Sequence, residues 1–384
     1  MNKTKTKIGI LALCAVALSY MAISPIIASI GGDFPDVSES MVQMVLTLPS
    51  FMFIICSPLS GIAMEFMNKK TIALGALMGY LVGGLFPFFF YSNIWCLLIG
   101  SGIIGLGTGF LMPLINGLIV QYFEKDERAQ LMGLNATFTA LGALLFIFAG
   151  GQLASFGWRY TYLVFVAVVI IIGIVVACLP KGEPQHTAGK EKKKGAFEMN
   201  PYIFGLFVIG FIYFLIQNSF NTNSSMYVAK VLGGGAAVAS MITMVNTLGG
   251  IIGGTIFARI SKALKYQIET FTLAIVGIGF LIAYFIPNII ALVIGSILIG
   301  FGFAMFNAAG TLLLSWNTSA ETNAFTVSVY LALINFGASI SPIAVNSCAG
   351  LFGGSVGVKY LFSGIVILVI MVYSAILNLK KRNG

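Results

Sequence analysis

Side-chain amides recur inside stretches of this chain that are otherwise apolar. Gln43, Asn116 and Asn135 lie in the first half, and Gln217, Asn218, Asn246, Asn307 and Asn335 in the second. An amide donates and accepts hydrogen bonds but does not titrate. Surrounded by apolar groups it is costly unless bonded, so each must face protein interior or water. The chemistry on offer is recognition of polar neutral groups, or hydrogen bonding between helices. Tyr20, Tyr213 and Tyr330 add aromatic faces with a hydroxyl handle, with ordinary packing as the alternative. Groups for covalent or metal chemistry are scarce. The one histidine, His186, sits in a polar segment, and Cys14, Cys56, Cys96, Cys178 and Cys348 occur singly without a CxxC pair. No cofactor or metal is expected.

The elements that must position these amides are membrane spans. Hydrophobic residues make up 58% of the chain and charged residues 9%, against roughly a quarter charged in a soluble domain. A bilayer core needs about 20 apolar residues per helix. Twelve such stretches are predicted, near 8–30, 41–66, 71–91, 94–122, 132–155 and 160–179, then 202–222, 234–258, 268–286, 288–315, 323–348 and 360–379. Charged residues lie between them or at their edges. A cleaved signal peptide competes for the first stretch, but the apolar run continues well past Ala15-Val16-Ala17, its only Ala-x-Ala.

Lys and Arg set the orientation. With the N-terminus inside, 18 of 21 fall on the inner side, and only Arg159, Lys230 and Lys359 outside. The positive-inside rule then places both termini in the cytoplasm of a multi-pass plasma-membrane protein. The net charge of +9 is this bias, not a nucleic-acid footprint. The run Lys190–Lys194 is a solvated loop near anionic lipid.

The polar stretch 181–200 divides the chain into bundles 1–180 and 201–384, six spans each. The halves resemble each other. Leu98-Ile99-Gly100-Ser101-Gly102-Ile103-Ile104-Gly105-Leu106-Gly107 matches Val293-Ile294-Gly295-Ser296-Ile297-Leu298-Ile299-Gly300-Phe301-Gly302 at an offset of 195. The same offset sets Gly142 against Gly337, and an offset of 193 sets Gly61 against Gly254. Chance similarity of Gly-rich helices explains one match less strainedly than three. Parallel repeats of this kind build one large group of secondary transporters.

On these residues the chain resembles the major facilitator superfamily over its full length. The family's signature loop, Gly-x-x-x-Asp-Arg-x-Gly-Arg-Lys, is matched by Gly61-Ile62-Ala63-Met64-Glu65-Phe66-Met67-Asn68-Lys69-Lys70, which keeps the leading Gly, an acid and two basic residues. The resemblance implies a conformational gate at Gly61, Glu65, Lys69 and Lys70; topology anchoring is the alternative for the two lysines. The fourth-span Arg of proton-coupled exporters is absent from Ser101–Gly107, and the fifth-span antiporter motif loses its Pro. Its repeat partner keeps one, Pro342, so a helix kink is expected in span eleven. Trp158-Arg159 also resembles the family, with an interfacial anchor as the alternative for Trp158.

The resemblance further implies an all-α fold of twelve transmembrane helices in two six-helix pseudo-repeats. It implies a central cavity lined by spans 1, 2, 4, 5, 7, 8, 10 and 11. Asn135, Gln217, Asn246 and Asn335 are then the preferred substrate contacts, with Asn116, Asn307, Tyr20, Tyr213 and Tyr330 beside them. The polar run Gln217–Ser225 reads either as an unwound helix near a transport path or as an outer loop beginning near Ser219. With no charge at mid-span, the expected cargo is a small neutral or amphipathic molecule, moved by alternating access, with export as the first direction considered. Uptake of a polar neutral solute such as a sugar or polyol, or of an organic anion, is the second reading. Proton coupling stays open, since Asp33, Asp36, Glu39 and Glu65 all lie at membrane edges. An intramembrane enzyme is disfavoured, and the transporter is expected to act as a monomer.

Overall fold

Helix starts follow from local chemistry. Ser38, Asn93, Asn200 and Asn288 each place a side-chain oxygen on a backbone N–H of the first turn that follows. Pro201 opens its helix at the position where a missing N–H costs nothing. In the computed structural model, which describes residues 3–180, 199–319 and 322–383, every described element is helical or a turn. The helices are α1 (Lys3–Val16), α2 (Ile27–Asp33), α3 (Glu39–Phe66), α4 (Lys69–Phe89), α5 (Ile94–Tyr122), α6 (Lys125–Leu153) and α7 (Ala167–Cys178). The second half holds α8 (Pro201–Lys230), α9 (Ala236–Leu264), α10 (Ile268–Phe285), α11 (Ile289–Asn317), α12 (Asn323–Gly350) and α13 (Val356–Asn383).

Twelve spans result. The first is α1 and α2 joined by a 3-10 segment, Ser19–Ile26, and the sixth is the 3-10 segment Trp158–Val166 followed by α7. By hydropathy alone α9 and α10 form one apolar stretch, Ala236–Phe285. The turn Lys265–Gln267 separates them, with Lys265 at a positive φ of 51°. The chain is thus an all-α protein of twelve spans.

Two compact units are formed, Met1–Lys190 and Glu191–Gly384. The expected loop 181–200 lies outside the described residues except for Met199 and Asn200. Each unit pairs its helices alike. In the first, α5 packs on α3 and α4, α1 on α6 and α7, and α4 on α7. In the second, α11 packs on α9 and α10, α8 on α12 and α13, and α10 on α13.

The repeated glycines are where these pairs approach. A Cβ on Gly105 would stand 2.7 Å from Met52 and 2.8 Å from the Pro49 Cα; its partner Gly300 faces the Asn246 backbone. Gly142 lies against the Ala15 carbonyl of α1, and Gly337 against the Phe211 carbonyl of α8, where a Cβ would be 2.7 Å away. Small residues at such crossings let backbones meet. Gly61 and Gly254 differ, since a Cβ at either would find no atom within 4 Å.

The break in the first span is accommodated from a neighbour. The Tyr80 hydroxyl of α4 donates to the Ala17 carbonyl at 2.9 Å, just past the end of α1, and shares a 2.8 Å bond with Thr108 Oγ1 of α5. A carbonyl left free by a helix break is costly in a buried site, and Tyr80 is fully buried.

Candidate functional site

In the first unit, two expected contact residues come together. Asn135 Nδ2 of α6 donates to Asn116 Oδ1 of α5 at 3.4 Å, and Thr139 Oγ1, one turn on, donates to Asn135 Oδ1 at 3.2 Å. Asn116 is exposed within this unit and Asn135 half-buried. The result is a polar line of amide, amide and hydroxyl. Helix α5 carries no charged residue, and α6 none beyond Arg128. Tyr20 is buried in the 3-10 segment of the first span.

The second-unit candidates divide by partner. Asn246 Nδ2 of α9 donates to the Ser296 carbonyl of α11 at 3.0 Å, which ties two helices together. Asn335 Nδ2 turns back on its own helix, to the Leu331 carbonyl at 2.8 Å. Asn307 is half-buried and Gln217 buried. Tyr213 stacks on Phe306, with ring centroids 3.7 Å apart. Tyr330 packs edge-on to Phe207 and fills the space above Gly210 and Gly310. Both hydroxyls are buried without a hydrogen-bond partner.

Neither reading of Gln217–Ser225 describes what forms there. Helix α8 continues unbroken to Lys230, and eight of those nine residues are buried, Asn221 alone being half-buried. Several of their polar groups bond inside the unit: Ser219 Oγ meets Ser363 Oγ at 3.0 Å, and Asn223 Nδ2 donates to the Ser219 carbonyl at 3.0 Å, while Ser224 Oγ is buried without a partner. Lys359, counted above with the outer segments, is 1% exposed and donates to Asn223 Oδ1 at 3.3 Å. A run of polar residues reads as a loop only while its partners on other helices are unknown.

Asn218 answers the proline. Helix α12 runs through Pro342, which has no N–H for the Ala338 carbonyl four residues back. Asn218 Nδ2 supplies that donor from α8, at 2.7 Å.

At the signature loop, both lysines bond backbone carbonyls. Lys70 Nζ reaches the Val176 carbonyl in the last turn of α7 at 2.7 Å, and Lys69, 1% exposed, lies 3.5 Å from the Gly117 carbonyl of α5. Arg128 closes α5, donating to the Val120 and Phe123 carbonyls at 2.7 and 2.6 Å. A cation at a helix C-terminus meets both unsatisfied carbonyls and the dipole, for about 0.3–1 kcal/mol. Lys70→Ala is therefore expected to lower the thermal midpoint in a detergent melt by an amount matching about 1 kcal/mol or less. Lys70→Arg should retain most of it. Glu65 is half-buried. Nearby, Lys3 Nζ meets Glu127 Oε2 at 3.0 Å, and that hydrogen bond holds the Glu127 carboxyl below its usual range.

Across the first unit, Trp158 Nε1 donates to Asp33 Oδ2 at 2.6 Å, joining the start of the sixth span to the end of the first. Arg159 lies over the Tyr91 ring, 4.8 Å from its centroid.

One ionisable residue escaped the sequence reading. Glu269, the second residue of α10, is fully buried. Ser374 Oγ of α13 donates to its Oε2 at 2.9 Å, Asn378 Nδ2 donates to Ser374 at 3.0 Å, and the Tyr202 hydroxyl donates to Asn378 Oδ1 at 2.7 Å. Glu269 sits at the edge of its apolar stretch, which made it look solvated. The available signal was that it falls inside the expected span 268–286. Among the described residues no group of three potential ligands is placed to hold a metal ion.

Comparison with known proteins fits this architecture. The sequence profile of the Major Facilitator Superfamily matches residues 9–269. Multidrug resistance protein 2 of Bacillus subtilis (strain 168) is 23% identical over 409 aligned residues, covering 100% of this chain and 98% of that protein. Partial matches include the Multidrug resistance protein MdtG of Citrobacter koseri, 24% identical over 54% of this chain and 52% of that protein. The Hexuronate transporter of Bacillus subtilis (strain 168) is 27% identical over 48% of this chain and 44% of that protein. Among solved structures, the POT family transporter PepTSo superposes with a TM-score of 0.75 at 11% identity, covering 98% of both chains. A D-xylose-proton symporter gives 0.73 at 16% identity, covering 95% of this chain and 96% of its own. With its repeated six-span units and a profile match over residues 9–269, about two thirds of the sequence, the chain belongs to the Major Facilitator Superfamily and is a membrane transporter of that family.

Proposed function

We propose that this transporter exports small neutral or amphipathic molecules by alternating access of its two bundles, 1–180 and 201–384, joined by a cytoplasmic loop at 181–200. The observation that carries this reading is the Asn116–Asn135–Thr139 line, a polar strip on two helices without a mid-span charge. A fixed acid would favour cations, and a fixed base would favour carboxylates through charge-assisted bonds. Amides and a hydroxyl favour neither. The full-length similarity to a multidrug resistance protein supports export. In this reading the protein sits in the plasma membrane with both termini cytoplasmic. It works as a monomer, without cofactor, nucleic acid or enzymatic step. Gln217, Asn246, Asn307, Asn335, Tyr20, Tyr213 and Tyr330 complete the contact set, and Gly61, Glu65, Lys69 and Lys70 form the gate.

The match to a hexuronate transporter favours a second reading, uptake of a polar solute or organic anion. A thermal-stability screen with neutral, cationic and anionic panels separates the two, because stabilisation tracks affinity for the folded state. Stabilisation by neutral amphipathic compounds supports that substrate class, and stabilisation by cations alone overturns it. For a stabilising compound, Asn135→Ala is expected to weaken affinity about two- to twelvefold, the equivalent of one hydrogen bond of about 0.5–1.5 kcal/mol. Unchanged affinity would remove Asn135 from the contact set.

A further inference from the structure

The Tyr202–Asn378–Ser374–Glu269 chain has a direction. Each link donates toward the carboxyl: Tyr202 to Asn378, Asn378 to Ser374, Ser374 to Glu269 Oε2. Thr270 Oγ1 also meets Ser374 Oγ, at 3.1 Å. The other carboxyl oxygen, Glu269 Oε1, is buried with no hydrogen-bond partner. An ionised carboxylate offers about four acceptor sites; here Ser374 donates to one oxygen, the Asn378 amide lies close enough to favour the charge, and Oε1 is left without a partner. No Lys or Arg among the described residues forms an ion pair with Glu269. A buried charge without a counter-ion and with an unpartnered oxygen is strongly disfavoured, and such groups take up a proton instead.

Cations lie on the neighbouring elements, and none of those described pairs with Glu269. Helix α11, packed along α10, has no ionisable residue. Helices α8 and α12 contribute Tyr202 and Tyr330, both near enough to sense the charge of Glu269. From α9 and the turn before α10 come Arg259, Lys262, Lys265 and Tyr266, and from α13 come Tyr373, Lys380 and Lys381, with Lys381 Nζ 5.7 Å from the centroid of the Tyr202 ring. Ile268, beside Glu269, belongs to an apolar cluster with Met305 and Ala309 of α11.

We propose that Glu269 is a proton-binding site of the C-terminal unit, with Oε1 as the atom that takes the proton and Ser374, Asn378 and Tyr202 as its positioning residues. Protonation turns the carboxylate into a neutral acid: one O–H bond forms at Oε1, and the proton comes from water. Release leaves a charge with Oε1 unpartnered among helices α8, α10 and α13, which must then shift or admit water to solvate it. Proton occupancy is in this way tied to how those three helices pack. Use of this site in proton-coupled transport rests on the export reading above; the proton site itself does not.

The test is infrared spectroscopy of the full-length protein reconstituted in lipid, recorded through a pH titration. The wild type should show a protonated-carboxyl stretch that disappears at higher pH. That band should be lost in Glu269→Gln, a variant that keeps an acceptor for Ser374 and should melt close to the wild type. Ser374→Ala, which removes the Oε2 donor to the charged form, should move the disappearance to higher pH. A wild type without such a band, or a band unchanged in Glu269→Gln, overturns the proposal. In proteoliposomes, transport of a stabilising neutral amphipathic compound should lose its pH dependence in Glu269→Gln. If the wild type transports no compound of that class, the export reading fails, while the infrared result still decides the proton site.

Discussion

Gly142→Leu is expected to abolish recovery of folded protein. A Cβ at this position would fall on the Ala15 backbone of α1, which has no side-chain rotamer to yield. Overpacking a core that can adjust costs about 1–3 kcal/mol, and here two helix backbones must separate. Whole domains are stable by only about 5–15 kcal/mol. Gly142→Ala is the sharper experiment, because alanine gains up to about 1 kcal/mol of helix propensity over glycine. Its melting midpoint should nevertheless fall. Gly337→Ala in the second unit should behave alike, since its Cβ would stand 2.7 Å from the Phe211 carbonyl. Gly61→Ala, with open space around it, should be neutral or stabilising. Equal melting behaviour of Gly142→Ala and Gly61→Ala would show that close approach of α1 and α6 does not hold the first unit together.

Asn218→Ala is expected to destabilise the protein by about 1–3 kcal/mol, the cost of leaving a buried acceptor unsatisfied. The acceptor is the Ala338 carbonyl, orphaned by Pro342. In a Pro342→Ala background residue 342 regains its N–H and supplies that carbonyl from within the helix. The same Asn218→Ala change should then cost markedly less. The two substitutions should be non-additive by about 1 kcal/mol or more, within the range for residues sharing one partner. Thermal melts of the two single variants and the double variant measure this directly. Additive losses would mean that Asn218 serves something other than the carbonyl Pro342 leaves free.

Much of the architecture was legible because a bilayer imposes length and polarity on every span. The twelve stretches match twelve helical spans, and Gly105 and Gly300, aligned at an offset of 195, pack on corresponding helices, α3 and α9. Boundaries were less legible where polarity misled. The polar side chains of α8 between Gln217 and Ser225 look like a helix end until Ser363, Ala338 and Lys359 are placed beside them. The first span looked continuous because a 3-10 segment of Ser19–Ile26 is as apolar as the helices on either side.

The candidate site was legible only in part. That amides occupied the interior could be read from residue type. Which of them bond to each other, as Asn116 and Asn135 do, and which are taken by a backbone carbonyl, as Asn246 is, depends on helix rotation. One residue of slip turns a helical side chain by about 100°, and no composition records it.

By itself the sequence determined the membrane class, the spans, the duplication and the absence of charge at mid-span. Each depends on free energies of transfer and on repeat spacing, which act along the chain. Tertiary structure alone decided that Asn218 answers Pro342, that Lys70 closes α7 and that Glu269 is buried with one oxygen unpartnered. Those facts join residues 120, 106 and 105 positions apart in the chain. Hydrogen bonds and burial are set by neighbours in space, and at such separations only the packed helices choose the neighbours.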